Sequence, residues 1–197
     1  EVIMGFSNRQ FYQNQLQAAE EVRNRWLPIP SNFPLQFIDT AGCGFEEKVH
    51  PAYQSRSNPD EFRIVREHLY LLEDAFVEKE YPSVAVISPY REQALLIRQT
   101  LDEDALLSAR PIAVNTIDGF QGQEKDIVYI SLVRSNAKGD IGFLQDYRRM
   151  NVAMTRARKQ LILVGDSATI GRNPFYRAFL EYCEEVGGYH TAWEYML

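Results

Sequence analysis

Five short, mainly apolar runs constrain this chain more than any other feature. They occupy positions 35–39, 84–88, 112–115, 127–133 and 161–164. Each is short enough for a strand, and none alternates apolar with polar residues. That pattern belongs to strands covered on both faces, as in a parallel sheet. Amphipathic stretches lie between them. Phe62, Val65, Leu69, Leu72 and Phe76 form a core-facing helical stripe. Asn58 reads as the cap of that helix and Pro59 as its first residue. Glu61 stands where a capping-box carboxylate reaches back. Ala94, Ile97 and Leu101 stripe a second helix. Phe175, Phe179, Tyr182 and Val186 stripe a third, opened by Asn173-Pro174 and closed by Gly187-Gly188. The order predicts an α/β fold, a mainly parallel sheet with helices on both faces. Residues 41–57 read as a long surface loop, and the stretch from the N-terminus through Trp26 as helical. With no repeat and no linker, 197 residues predict one domain with a substantial core.

Composition narrows the function classes. A net charge of -6 and 24% charged residues exclude a generic polyanion binder and a disordered chain. Any contact with nucleic acid must come from a local basic patch. No apolar run approaches the roughly 20 residues that span a bilayer, so no membrane partner is expected and an intracellular location is the default. Cys43 and Cys183 are too few for a disulfide scaffold. His50, His68 and His190 are dispersed, and none has a partner at metal-ligand spacing, so no metal site is expected.

Phosphate-binding loops are missing. No glycine precedes a lysine, as a P-loop requires, and no G-x-G-x-x-G occurs. No Asp-Glu pair ends a buried strand. The chain cannot assemble a P-loop ATPase site alone. Two G-x-x-G tetrads, 119–122 and 139–142, resemble a backbone clamp only weakly, and Asp140 repels phosphate.

Three polar segments carry the chemistry that remains. Residues 145–160 hold Arg148, Arg149, Arg156, Arg158 and Lys159 against Asp146. On one helix, Met150, Ala153, Met154 and Ala157 form an apolar stripe with Arg149 and Arg156 at its edge. Paired guanidiniums of that kind suit phosphate oxygens, and a solvated basic face is an equal reading. Residues 115–126 follow a strand with Thr116, Gly119, Gln121, Gly122, Gln123 and Glu124. The glycines allow close backbone approach, and the polar groups can meet phosphate, ribose or water. Ser88, Pro89, Tyr90 and Arg91 follow another strand. They read as contacts to a nucleic-acid backbone, or as a helix start with Ser88 as cap and Pro89 at the first position.

Together the strings VISPYREQ, VNTIDGFQGQEKDIVYISLVRS and GFLQDYRRMNVAMTRARKQLILVGD resemble motifs IV, V and VI of superfamily 1 helicases of the up-frameshift type. FSNRQFYQNQL resembles the segment after motif IIIa, so the likeness covers nearly the whole chain. It implies the second of two RecA-like domains that face each other across an ATP cleft. ATP and Mg2+ are then bound mainly by a P-loop domain preceding this one, and the partner is single-stranded DNA or RNA. The likeness implies that Arg156 is the arginine finger, with Arg149 beside it. It places Gly122 and Glu124 on the nucleotide, and Ser88, Pro89, Tyr90 and Thr116 on the strand. Asp118 and Gln121 couple the two sites. The family's Gln-Tyr-Arg-hydrophobic-His string is not present before FSNRQ. Two other readings stand beside the motor: a single-stranded nucleic-acid-binding module, and a scaffold without ATPase activity.

Overall fold

The computed structural model describes residues 2–17, 27 and 33–196. In chain order the elements are α1 (Val2–Phe11), β1 (Leu35–Asp39), β2 (Lys48–Val49), β3 (Arg56–Ser57), α2 (Pro59–Ala75), β4 (Val84–Ser88) and α3 (Arg91–Glu103). Then come β5 (Ile112–Thr116), β6 (Lys125–Ser131), α4 (Tyr147–Met154), β7 (Ala157–Gly165), α5 (Ser167–Ile170), α6 (Pro174–Glu185) and β8 (Tyr189–Thr191). Six strands pair in parallel in the order β5-β4-β6-β7-β1-β8.

Both faces are covered, as the continuous apolar runs require. One face carries Leu35, Phe37, Ala85, Ile87, Val128, Ile130, Leu161 and Leu163, packed under α1, α4 and α6. The other carries Ile38, Val84, Val86, Ile127, Tyr129, Ile162 and Val164, packed under α2 and α3. Successive residues of one strand therefore enter two separate cores. Among the described residues no helix is long and apolar enough to cross a membrane.

Three expectations change. The predicted N-terminal helix ends at Phe11, and Gln13 and Asn14 take positive φ in the turn that follows; residues 18–26 lie outside the described residues. The 41–57 loop contains the short β2–β3 hairpin. The chain after Gly187-Gly188 forms β8, whose pairing with β1 was not read from the sequence.

The start of α2 changes more instructively. Asn58 caps as expected, accepting from the Glu61 N–H at 3.0 Å. Glu61 does not reach back. Its side chain turns inward, fully buried, and accepts from Ser131 Oγ at 2.5 Å and from the Val133 N–H at 2.9 and 3.0 Å. The Asn58 N–H goes instead to Gln93 Oε1 at 2.8 Å. Glu61 thereby holds the exit of β6, where Val133 is buried at φ +72°. Such a backbone is strained for a β-branched residue and persists only where neighbours fix it.

Candidate functional site

The segment between β5 and β6 is a polar loop pinned by apolar anchors. Ile117 and Phe120 are buried, while Asp118, Gly119, Gln121, Gly122, Gln123 and Glu124 are exposed. Asn115 organises its start. Its Oδ1 accepts from the Thr116 N–H (2.9 Å), and its Nδ2 donates to the Gly119 carbonyl (3.0 Å). Thr116 Oγ1 accepts from the Gly119 N–H (3.2 Å). A Cβ on Gly119 would lie 2.1 Å from Asn115 Oδ1, so this approach requires glycine. Gly122, at φ +81°, turns the chain into β6.

The basic segment is shorter as a helix than its pattern predicts. Asp146 caps α4 by accepting from the Arg149 N–H (3.0 Å), and Met150, Ala153 and Met154 are buried. The helix ends at Met154, because Ala157 already pairs with Lys125 as β7 meets β6. Arg149 and Arg156 therefore do not line one helical edge. Arg156 lies half-buried in the turn. Its Nε donates to the Val152 carbonyl (3.1 Å), and its own carbonyl accepts from the Lys125 N–H (3.1 Å).

The two segments form one surface. Arg149 pairs with Asp118 at 3.0 Å, Arg158 with Glu124 at 3.2 Å, and Lys159 with Asp126 at 3.3 Å. Gly122 and Glu124 thus come beside the Arg156 turn at the entry ends of β6 and β7. Among the described residues Arg156 has no carboxylate in ion-pair range, unlike these three neighbours. It keeps an uncompensated guanidinium at a partly exposed position.

The segment after β4 sits at the opposite, C-terminal edge of the sheet and differs from expectation. Helix α3 begins at Arg91, with Tyr90 as a cap residue that makes no side-chain cap bond. Ser88 is buried, and its Oγ accepts from the Tyr90 N–H at 3.3 Å. Tyr90 is also buried. Its hydroxyl accepts from Arg134 Nη1 (3.3 Å) and from the Phe143 N–H (3.4 Å). Neither Ser88 nor Tyr90 offers a side-chain surface for direct contact, because both fill the core between β4 and its neighbours. Pro89 and Thr116 remain partly exposed.

Sequence reasoning missed Arg134, whose signal was a lone arginine ending an apolar strand. It is 1% exposed and pairs with Glu47 at 2.8 Å and Asp140 at 2.9 Å. Burial opposes its charge, but Glu47, Asp140 and Tyr90 more than compensate and raise its pKa. Glu47 also accepts from the Ser135 N–H and from Asn136 and Arg56 side chains. Burial pushes its carboxyl up, and Arg134, with the Ser135 N–H and Asn136, brings it below the usual range. A cleft of about 730 Å³ opens beside this hub, lined by Thr40, Ser135, Asn136, Thr169 and Arg172 among others.

The weaker candidates stay apart. In the second tetrad, Gly139 lies against the Arg172 side chain. Cys43 and Cys183 are free thiols. His68 is half-buried, with its ring nitrogen 2.8 Å from the Tyr129 hydroxyl. Among the described residues no group of three or more His, Cys, Asp or Glu is placed to hold a metal.

Comparison with known proteins gives a consistent result. The family described as "AAA domain" matches residues 1–168. The chain is 38% identical over 204 residues to DNA-binding protein SMUBP-2 of Rattus norvegicus, covering all of this chain and 20% of that protein. It is 38% identical over 200 residues to the DNA polymerase alpha-associated DNA helicase A of Saccharomyces cerevisiae, covering 93% of this chain and 29% of that protein. An uncharacterized ATP-dependent helicase of Methanocaldococcus jannaschii is 34% identical over 204 residues, at 96% and 28% coverage. The chain thus spans less than a third of the length of these relatives. In fold it is similar to the C-terminal domain of a possible DNA helicase from Lactobacillus plantarum. That match has a TM-score of 0.55 at 12% identity and covers 98% of this chain and 96% of that one.

Proposed function

Because the chain belongs to the AAA domain family, we propose that it is the second RecA-like motor domain of an ATP-dependent nucleic-acid helicase. Its partners are a preceding P-loop domain and single-stranded DNA or RNA. One observation carries the reading. Arg156 presents an unpaired guanidinium beside Gly122 and Glu124, while Arg149, Arg158 and Lys159 are neutralised by loop carboxylates. A surface built this way suits a triphosphate brought by another domain, since the free arginine meets the charge that develops at the γ-phosphate. Mg2+ belongs with the P-loop domain.

In this reading Gly122 and Glu124 line the nucleotide side, and Arg149 positions Asp118 rather than touching phosphate. Thr116 and the backbone around Pro89 meet the strand. The loop from Thr116 to Glu124 runs from the exit edge of the sheet back to its entry edge. Asp118 and Gln121 lie between the two sites, so movement at the nucleotide side is felt at Thr116 through the Asn115–Gly119 bonds.

Arg156→Ala in the full-length protein tests this. Nucleic-acid-stimulated ATP turnover is expected to fall about 10³-fold or more, with single-strand affinity changed by less than about threefold. Near-normal turnover would remove the arginine-finger role. The 197-residue chain alone is expected to bind ATP weakly and not to hydrolyse it.

A further inference from the structure

We propose that Phe143 is a stacking platform for a base of single-stranded nucleic acid and that Tyr90 is the positioning residue that presents it. This rests on the helicase reading above. Phe143 is 55% exposed. A single exposed hydrophobe is ordinary, but its support is not. The Phe143 ring packs on the Tyr90 ring, with centroids 5.3 Å apart and planes at 36°. Its N–H points at the Tyr90 hydroxyl, which is held in turn by Arg134. Arg134 is itself gripped by Glu47 and Asp140. A buried guanidinium is costly unless paired on every side, and this one lies beneath a solvent-facing ring. Gly142 completes the device. Its φ is +50°, and a Cβ there would lie 2.0 Å from Arg134 Nη1 and 2.7 Å from the Tyr90 hydroxyl. Residue 143 can be drawn onto the tyrosine only because residue 142 is glycine. The ring is therefore held in place before anything binds, which lowers the ordering cost of a contact.

Position and charge select the occupant. Tyr90 follows β4, and Ser88 of β4 pairs with Thr116 of β5, so Phe143 stands on the same sheet edge as the Thr116 hydroxyl. Exposed Arg91 opens α3 directly after Tyr90, and exposed Lys138 lies on the loop that leads to Phe143. Asp140, the acidic neighbour on the same loop, is paired with Arg134 at 2.9 Å, so its charge is offset. An exposed aromatic face with cations on adjoining segments is how single strands are held without sequence readout: bases stack while phosphates are neutralised. This also gives buried Tyr90 a role in the strand contact that its own side chain cannot make.

The test uses the full-length protein and fluorescein-labelled oligo-dT and oligo-rU, with anisotropy read across a salt series. Phe143→Ala is expected to raise Kd about 5- to 150-fold, the range of one lost base stack. The slope against salt stays unchanged, because no phosphate contact is lost. Phe143→Tyr keeps affinity within about twofold. Tyr90→Phe weakens binding by a smaller factor and adds nothing to Phe143→Ala in the double variant. On an abasic oligonucleotide, wild type and Phe143→Ala bind alike. Phe143→Leu, which keeps the apolar contact with Tyr90, guards against misfolding and is expected to weaken binding more than threefold. Unchanged affinity in Phe143→Ala and Phe143→Leu overturns the proposal and leaves the helicase reading intact. So does lost ATP turnover at unchanged Kd, which would place Phe143 against the first domain. Failure of wild type to bind either oligonucleotide overturns the helicase reading itself.

Discussion

Glu61→Gln gives the sharpest test of the core. Burial pushes the Glu61 carboxyl up to about 8, outweighing the hydrogen bonds from Ser131 and Val133 that lower it; Asp166 raises it further. In the unfolded chain the same carboxyl titrates near 4.5. Between these values the unfolded state gives up a proton that the folded state keeps. Stability from Glu61 is thus fully present below 4.5 and is lost as pH rises through about 8. At about 1.4 kcal/mol per pH unit, that interval removes about 5 kcal/mol. His68 has the opposite effect at lower pH. Burial depresses it to about 4 from 6.5, so its contribution grows by about 3 kcal/mol as pH rises across that range. Wild-type stability is expected to be nearly level from 4.5 to 6.5 and to fall by about 2 kcal/mol from 6.5 to 8. The variant lacks the Glu61 slope and keeps that of His68. It is less stable than wild type at pH 4.5 by about 1–2 kcal/mol, because an amide matches the Val133 N–H less well. It becomes the more stable form between about pH 5.5 and 6 and leads by about 3–4 kcal/mol near pH 8. Urea midpoints followed by circular dichroism from pH 4.5 to 8.5 at constant ionic strength measure the difference between the two curves, in which His68 cancels. Parallel curves would show that Glu61 is ionised in the fold across this range, and the reasoning from burial would fail.

Two further substitutions test the supports of the site. Gly119→Ala places a methyl against the Asn115 amide; it is expected to lower stability by about 1–3 kcal/mol and to free the Thr116 loop, seen as faster exchange of the amides of Thr116 and position 119 than in wild type. Arg134→Ala leaves Glu47 and Asp140 without their shared cation. It is expected to cost about 3–5 kcal/mol in urea unfolding, and a loss below about 1 kcal/mol would mean that the buried pair is dispensable.

The fold was legible because its cause is local. Residues 84–87 and 127–130 are apolar on consecutive positions, and only a sheet covered on both faces buries both sets. The basic segment shows where local pattern stops. Met150, Ala153, Met154 and Ala157 fit a helical stripe, yet Ala157 is a strand residue. The tie between Lys125 and Ala157 joins positions 32 apart in the chain, which periodicity cannot register. β8 was hidden for a related reason: its three residues are an edge strand whose pairing with β1 reaches back more than 150 positions.

Residue chemistry was legible at the site, but exposure was not. Ser88, Tyr90 and Glu61 all carry polar atoms at positions where local rules give them surface roles, as strand contact or as cap. All three are buried, because each meets a partner far along the chain: Tyr90 meets Arg134, Glu61 meets Ser131 and Val133, and Ser88 lies under the β4–β5 pairing. The Tyr90 and Glu61 groups are satisfied by those partners and Ser88 Oγ by the Tyr90 N–H two residues on, and such satisfaction is the condition for burying them. The polar residues of the loop 118–124 were easier to read, because they stay at the surface, where local chemistry and exposure agree. Arg149 and Arg158 find loop carboxylates, and Arg156 does not. Among the described residues Arg148 is likewise unpaired, but it is exposed on α4. The half-buried Arg156 guanidinium, beside the paired Arg158 and Lys159, is instead suited to an anion from outside. The role proposed for Arg156 rests on that placement, while the structure moves Tyr90 beneath the surface and leaves Phe143 above it.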